Sequence, residues 1–145
     1  MNEKHSKRVP LEKADEDLAK DIVDAAFNVH AALGPGLLEG AYEHCLSFEL
    51  VERGHKVQRQ VVLPVVYRGR KLDAGYRLDL LVSNRLAIEI KATSELLPIH
   101  QAQLLTYLRL SGCRIGFLMN FNSILFRNGI KRLVVGPSGS GLSLG

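Results

Sequence analysis

Arg77-Leu-Asp-Leu-Leu-Val-Ser-Asn-Arg-Leu-Ala-Ile-Glu-Ile-Lys91 is the stretch on which the reading of the fold turns. It reads as two short apolar strands joined by the polar turn Ser83-Asn84-Arg85. Strand side chains alternate between faces, so Leu78, Leu80 and Val82 are expected on one face and Asp79 on the other. On the second strand Ile88 and Ile90 share a face, with Glu89 and Lys91 opposite. A three-residue turn pairs Val82 with Leu86 and sets Asp79 directly across from Glu89. Like charges in that position weaken a hairpin. At ~5 Å the repulsion is about 3 kcal/mol with an effective dielectric of 20, and under about 1 in water. A divalent metal ion between the two carboxylates would account for the arrangement. A longer turn would set Asp79 across from Lys91, an ordinary cross-strand ion pair contributing a few tenths of a kcal/mol. The hairpin alone leaves both registers open.

The 145 residues fit one domain, and 46% hydrophobic with 23% charged content is that of a soluble globular protein. No apolar run has the length to span a bilayer, and the opening residues 1–10 lack the apolar core of a secretory signal, so a cytoplasmic location without membrane contact is expected. Cys45 and Cys113 have no metal-like spacing and are expected as free thiols. The net charge of +4 conceals a segregation. Residues 1–52 hold eleven acids and five bases, residues 53–91 nine bases and three acids, and residues 92–145 five bases and one acid. A basic middle and end suggest an anionic partner, nucleic acid being the commonest, against the plainer reading of a solvated surface.

Outward from the hairpin, Leu18, Ile22, Ala25, Ala26, Val29 and Leu33 mark an amphipathic helix from Asp15, broken by Gly34-Pro35-Gly36. A second helix is expected from Leu37 to Arg53, with Leu38, Ala41, Cys45, Phe48 and Val51 as its buried side and Glu39, Tyr42 and Glu43 on another face. Val57 to Tyr67 reads as a strand marked by Pro64, and Leu72 to Val82 returns from the turn Arg68-Gly69-Arg70. A helix from Pro98 to Ser111 is capped by Gly112, and Ile115–Met119 and Ile130–Val135 complete the strands around an Asn128-Gly129 turn. The order is α-α-β-β-β-α-β-β, a mixed α/β domain over residues 15–135 between flexible ends at 1–14 and 136–145.

Asp79 followed by Glu89-Ile90-Lys91 on an adjacent strand, after one helix and before another, resembles the core of the PD-(D/E)XK nuclease superfamily. Leu78 stands where that pattern often has proline. Gly36-Leu-Leu-Glu39-Gly-Ala-Tyr42 is similar to the signature of the GxxExxY family, small bacterial proteins assigned to that superfamily. His100-Gln-Ala-Gln103-Leu-Leu-Thr-Tyr107 resembles the glutamine-containing helix motif of its exonuclease-like members. The resemblance runs from about Ile22 to Val135 and implies a restriction-endonuclease-like sheet flanked by helices.

It also implies a chemistry. Mg2+ or Mn2+ takes hard oxygen ligands, which Asp79, Glu89 and the backbone carbonyl of Ile90 would supply. Glu39 would complete the site or hold a water beside it; the plain alternative is an exposed helix carboxylate. Lys91, on the face of Glu89, would stabilise negative charge in the transition state in preference to acting as a general base; alternatively it pairs with a strand acid for stability. Gln103 and Tyr107 lie four apart on one helix face, positioned near Lys91 or the phosphate, or tying helix to sheet. Tyr42 is expected to brace Glu39 or to pack helix against sheet. His100 reads as a surface or cap residue, and Gly36 as backbone geometry ahead of the second helix. The function implied is metal-dependent hydrolysis of phosphodiester bonds, with DNA the favoured substrate and a homodimer the usual form for cutting duplex. The rival is a non-hydrolytic module on the same fold that binds nucleic acid or protein.

Overall fold

Five strands in the order β1-β4-β5-β6-β7 form the sheet around which the chain is built. The computed structural model describes residues 11–136, so of the ends expected to be flexible, 1–14 and 136–145, residues 1–10 and 137–145 lie outside the described residues, while Lys13 and Ala14 are helical. In chain order the elements are α1 (Lys13–Leu33), α2 (Glu39–Glu52), β1 (Val57–Val62), β2 (Val65–Tyr67), β3 (Arg70–Leu72), β4 (Arg77–Val82), β5 (Leu86–Lys91), α3 (Pro98–Ser111), β6 (Ile115–Asn120), a 3-10 turn (Phe126–Gly129) and β7 (Ile130–Val134). The β5–β6 pair is parallel and the others are antiparallel, as a helical crossover between β5 and β6 requires. This is the mixed α/β architecture expected.

Two departures from the expected elements have local causes. Proline at position 64 has no amide hydrogen to give a ladder, so the long first strand breaks into β1 and the separate ribbon strand β2. The return strand breaks in the same place, into β3 and β4. Asn128-Gly129 closes a 3-10 turn ahead of β7 rather than a two-residue hairpin.

The sheet is covered on both faces. Leu80, Val82, Leu86, Ile88, Ile90, Phe117 and Met119 pack under α1 and α2. Ala87, Leu118 and Leu133 face α3, through Leu104, Leu105 and Leu108. Every residue of β6 is buried, because that strand is covered above and below. Gly116 is what lets α3 sit so close: a Cβ there would lie 2.9 Å from Leu108 Cδ2.

The first helix begins at Lys13, two residues before the expected Asp15: Asp15 accepts the Glu12 N–H on its carboxylate at 3.3 Å and donates its own N–H to the Glu12 carbonyl at 3.0 Å. Its buried stripe, Leu18, Ile22, Ala25, Ala26 and Val29, is the expected one, although Leu33 at its end is 37% exposed. In α2 the expected buried side holds only in part: Cys45 packs against the core, but the inward face is centred elsewhere. Tyr42, Glu43, Leu46 and Leu50 face inward, while Leu38 (84% exposed), Phe48 (66%) and Val51 (52%) point to solvent. Tyr42 decides the rotation: its ring stacks on Phe121 with centroids 4.7 Å apart.

Much of the charge segregation is resolved inside the fold. Arg53 bonds Asp21, Asp24 and Glu49, joining α1 to the end of α2. Arg85, in the β4–β5 turn, bonds Glu12 and Asp15 at the start of α1, and Arg132 of β7 bonds Glu16. Acidic α1 and the basic strands neutralise one another, and the two cysteines are free.

Candidate active site

The β4–β5 hairpin closes as the three-residue turn requires. Val82 pairs with Leu86, Leu81 with Ala87 and Leu80 with Ile88. Ser83 and Asn84 both take left-handed backbone (φ 53° and 55°), and the Arg85 N–H donates to the Val82 carbonyl at 3.0 Å. The ladder ends at Leu80–Ile88, so the next two residues, Asp79 and Glu89, meet where the strands part. Side chains then take over the bonds of the ladder. The Ile90 N–H donates to Asp79 Oδ2 at 2.8 Å, and the Asp79 N–H to Glu89 Oε1 at 3.4 Å.

The expected alternation fails at one point. Leu80 and Val82 pack under α1 and α2, but Leu78 packs on the α3 side with Leu63 and Tyr107. The strand therefore changes face at Asp79 and turns its carboxylate into the gap between β4 and β5. Opposite it, Gln60 in β1 has φ 53°, a backbone that glutamine adopts at a cost of about 1 kcal/mol, and drops out of the β1–β4 ladder. Its side-chain amide donates to Asp79 Oδ1 at 3.1 Å and to Glu43 Oε1 at 2.7 Å.

Around this gap the other candidates assemble. Lys91 Nζ lies 3.8 Å from Glu89 Oε2 and donates to Gln103 Oε1 at 3.5 Å, so Gln103 on α3 steadies the ammonium. Tyr107, one turn further along α3, is buried and meets Tyr76 edge-on at 6.0 Å. Glu39, the first residue of α2, is exposed at the mouth, where its carboxylate accepts the Ala92 N–H at 3.3 Å. The Ile90 carbonyl points to the same side of β5 as its N–H, hence into the gap with Asp79. Tyr42 is remote by comparison. It is fully buried, and its hydroxyl donates to the Gly34 carbonyl at 2.6 Å and accepts the Leu37 N–H at 3.1 Å. Any service to Glu39 passes through the loop that starts α2, where Gly36 has φ 105°. His100 caps α3, its Nδ1 accepting the Leu97 N–H at 3.0 Å.

Two residues of the cluster escaped the sequence reading as participants. Glu43 is buried (7% exposed) and held by Arg59 at 3.0 Å and by Gln60. Its place one turn after Glu39 was visible, but nothing distinguished it from a solvated helix acid. Gln60 had no signal at all, since a left-handed glutamine within a strand leaves no mark in the sequence.

Electrostatically the corner has more negative than positive charge: Glu39, Glu43, Asp79 and Glu89 against Lys91 and Arg59. Burial, then the charge of Asp79, push the Glu89 carboxyl up from 4.5 to about 8, against the pull of Lys91. Burial raises Asp79 as well; the Ile90 N–H bond opposes the shift, and the charges of Glu43 and Glu39 add to it. Tyr107 is raised by burial and then by the charges of Glu89 and Asp79. A cation joining the pair would oppose both shifts and favour the ionised acids. The donors are all hard oxygens, the set that Mg2+ and Mn2+ favour. They are not gathered into a cage: among the described residues no group of three or more His, Cys, Asp or Glu side chains is set to hold a metal ion.

A mixed sheet with two acids and a lysine at the parted ends of its central strands is the arrangement of a nuclease-type domain. A family model described as the PD-(D/E)XK nuclease superfamily matches residues 16–133, and the chain belongs to that superfamily. Its proteins are generally phosphodiesterase nucleases that typically use Mg2+ or Mn2+ and act on nucleic acid. Comparison with curated proteins and with solved structures gives no match. Among the described residues no helix is long and apolar enough to cross a membrane.

Proposed function

We propose that this protein, read as a GxxExxY-type branch of the superfamily, is a metal-dependent nuclease that hydrolyses phosphodiester bonds of DNA in the bacterial cytoplasm. The observation that carries the reading is the meeting of Asp79 and Glu89 where β4 and β5 part, with Lys91 3.8 Å from Glu89. Asp79, Glu89, Glu39 and the Ile90 carbonyl would hold Mg2+ or Mn2+, which when bound polarises a phosphoryl oxygen and makes water a better nucleophile at neutral pH. Lys91 stabilises the negative charge that builds on the phosphoryl group, because its ammonium is already fixed by Gln103 and needs no reorganisation. Gln60 aims the Asp79 carboxylate, and Tyr107 with Tyr76 walls off water on the α3 side. Duplex cleavage by so small a domain would call for a homodimer.

The test is incubation of the purified protein with labelled single- and double-stranded DNA and RNA, with Mn2+, Mg2+ or chelator. Cleavage of DNA that needs metal, and that falls at least about a hundredfold in Asp79→Ala, Glu89→Ala and Lys91→Ala, is expected. Inertness of the parent protein on every substrate would refute the enzyme. One observation favours a second reading, a module that binds without cutting: both Asp79 oxygens are already bonded, to the Ile90 N–H and to Gln60. Binding of DNA without cleavage in either metal would select it.

A further inference from the structure

Five of the nine bases in residues 53–91 are bonded to carboxylates: Arg53, Arg59, Arg77, Arg85 and Lys91. Arg68, Arg70 and Lys71 have no carboxylate partner among the described residues, and they adjoin one another on the β2–β3 ribbon. All three are exposed, as are Val66 (59%), Tyr67 (63%) and Leu72 (46%). Pairing of Tyr67 with Arg70 and of Val65 with Leu72 puts an aromatic, a cation and two apolar side chains on one face. Arg68 and Gly69 (φ 52° and 78°) form the tight turn at the tip.

An isolated two-stranded ribbon is marginal in water, and with every residue of β3 and two of the three in β2 exposed, core packing gives this one little support. Its root does connect it to the acids. The Leu63 N–H donates to the Tyr76 carbonyl at 3.0 Å, continuing the β1–β4 pair into the ribbon, and Tyr76 touches Tyr107. Asp79 follows Leu72 by seven positions, at most about 25 Å of extended chain.

We infer that the β2–β3 ribbon is a DNA-gripping arm, which enters the major groove of a duplex and sets Arg68, Arg70 and Lys71 on its phosphates while the strand to be cut lies at Asp79 and Glu89. The B-form major groove admits a two-stranded ribbon, whereas the deep, narrow major groove of A-form RNA does not. This rests on the nuclease reading for its purpose but not for its test.

Fluorescence anisotropy of labelled DNA duplex in chelator, across a salt series, reads binding alone. The full chain carrying Arg68→Gly, Arg70→Gln and Lys71→Gln is compared with the parent; glycine suits the left-handed tip, and Lys71→Gln alone serves if the triple variant fails to fold. Loss of three phosphate contacts makes the slope of log affinity against log salt shallower by about 2.7, and loss of one by about 0.9. The parent should also prefer DNA duplex to RNA duplex, and the triple variant should lose that preference. Equal affinity and slope for parent and variant, absence of binding by the parent, or equal loss on RNA duplex overturns the arm. Hydrolysis of a small phosphodiester such as bis(p-nitrophenyl) phosphate with Mn2+ is expected to be the same in parent and variant. Its absence from both would count against the nuclease reading and leave the binding result to stand on its own.

Discussion

Replacing Glu89 with Gln should raise the melting temperature at pH 8 and barely move it at pH 5. In the folded chain the Glu89 carboxyl is held up at about 8, against an ordinary value of 4.5, chiefly by burial and by Asp79. Between those two values the folded state binds more protons than the unfolded chain, so stability falls as pH rises. The contribution is whole below about 4.5 and is lost as pH climbs through about 8. At about 1.4 kcal/mol per pH unit, the gap corresponds to an upper bound near 5 kcal/mol. Glutamine keeps a carbonyl oxygen that can accept the Asp79 N–H, and the raised value is already net of that bond and of the Lys91 charge 3.8 Å away. Relaxation and water entry around a buried charge lower that bound, and a gain of about 2–3 kcal/mol is expected. For a chain of this size that is about 6–9 °C. Scanning calorimetry in chelator at the two pH values measures it. An equal shift at pH 5 and pH 8, or a fall at pH 8, would show that the carboxylate is not held under strain by its surroundings.

Further outcomes follow from the same corner and from the packing behind it. Mg2+ at a hundred times its dissociation constant should stabilise the parent by about 2.7 kcal/mol at pH 8, and a thermal scan of Asp79→Asn should show little of that gain. Gln60→Gly relieves about 1 kcal/mol of backbone strain but loses the bonds to Glu43 and Asp79. It should therefore lower metal-dependent cleavage about tenfold with the melting temperature nearly unchanged; unaltered cleavage would remove Gln60 from the site. Gly116→Ala forces a Cβ to within 2.9 Å of Leu108 Cδ2 and should cost about 1–3 kcal/mol in denaturant unfolding without altering cleavage per folded molecule.

The parts that could be read from the sequence are those where local chemistry leaves one solution. The hairpin is a partial case: its residues left two registers open, and the structure takes the three-residue turn that pairs Val82 with Leu86 and brings Asp79 to Glu89. Pro98 and Gly112 bounded α3, and the stripe of α1 named its buried face. The face of α2 was not legible, because apolar residues lie nearly all around it: Leu38, Cys45, Leu46, Phe48, Leu50 and Val51 offer several plausible stripes. Tertiary partners chose among them, Phe121 through Tyr42, and Arg59 and Gln60 through Glu43. The turn of Leu78 to the α3 side was hidden for a similar reason, since strand alternation assumes regular backbone and the chain departs from it at Asp79. The basic middle of the chain suggested an anionic partner, and most of that charge proved to be bonded within the fold.

The ladder that stops at Leu80–Ile88 has a bearing on how this protein can be improved. Aliphatic residues at 79 and 89 would let β4 and β5 zip further, and a library screened for heat resistance alone should drift toward that repair. On the nuclease reading proposed above, thermostable variants drawn from such a screen would carry a longer seam and an inactive corner. Selection for durability and selection for turnover therefore pull these two positions in opposite directions.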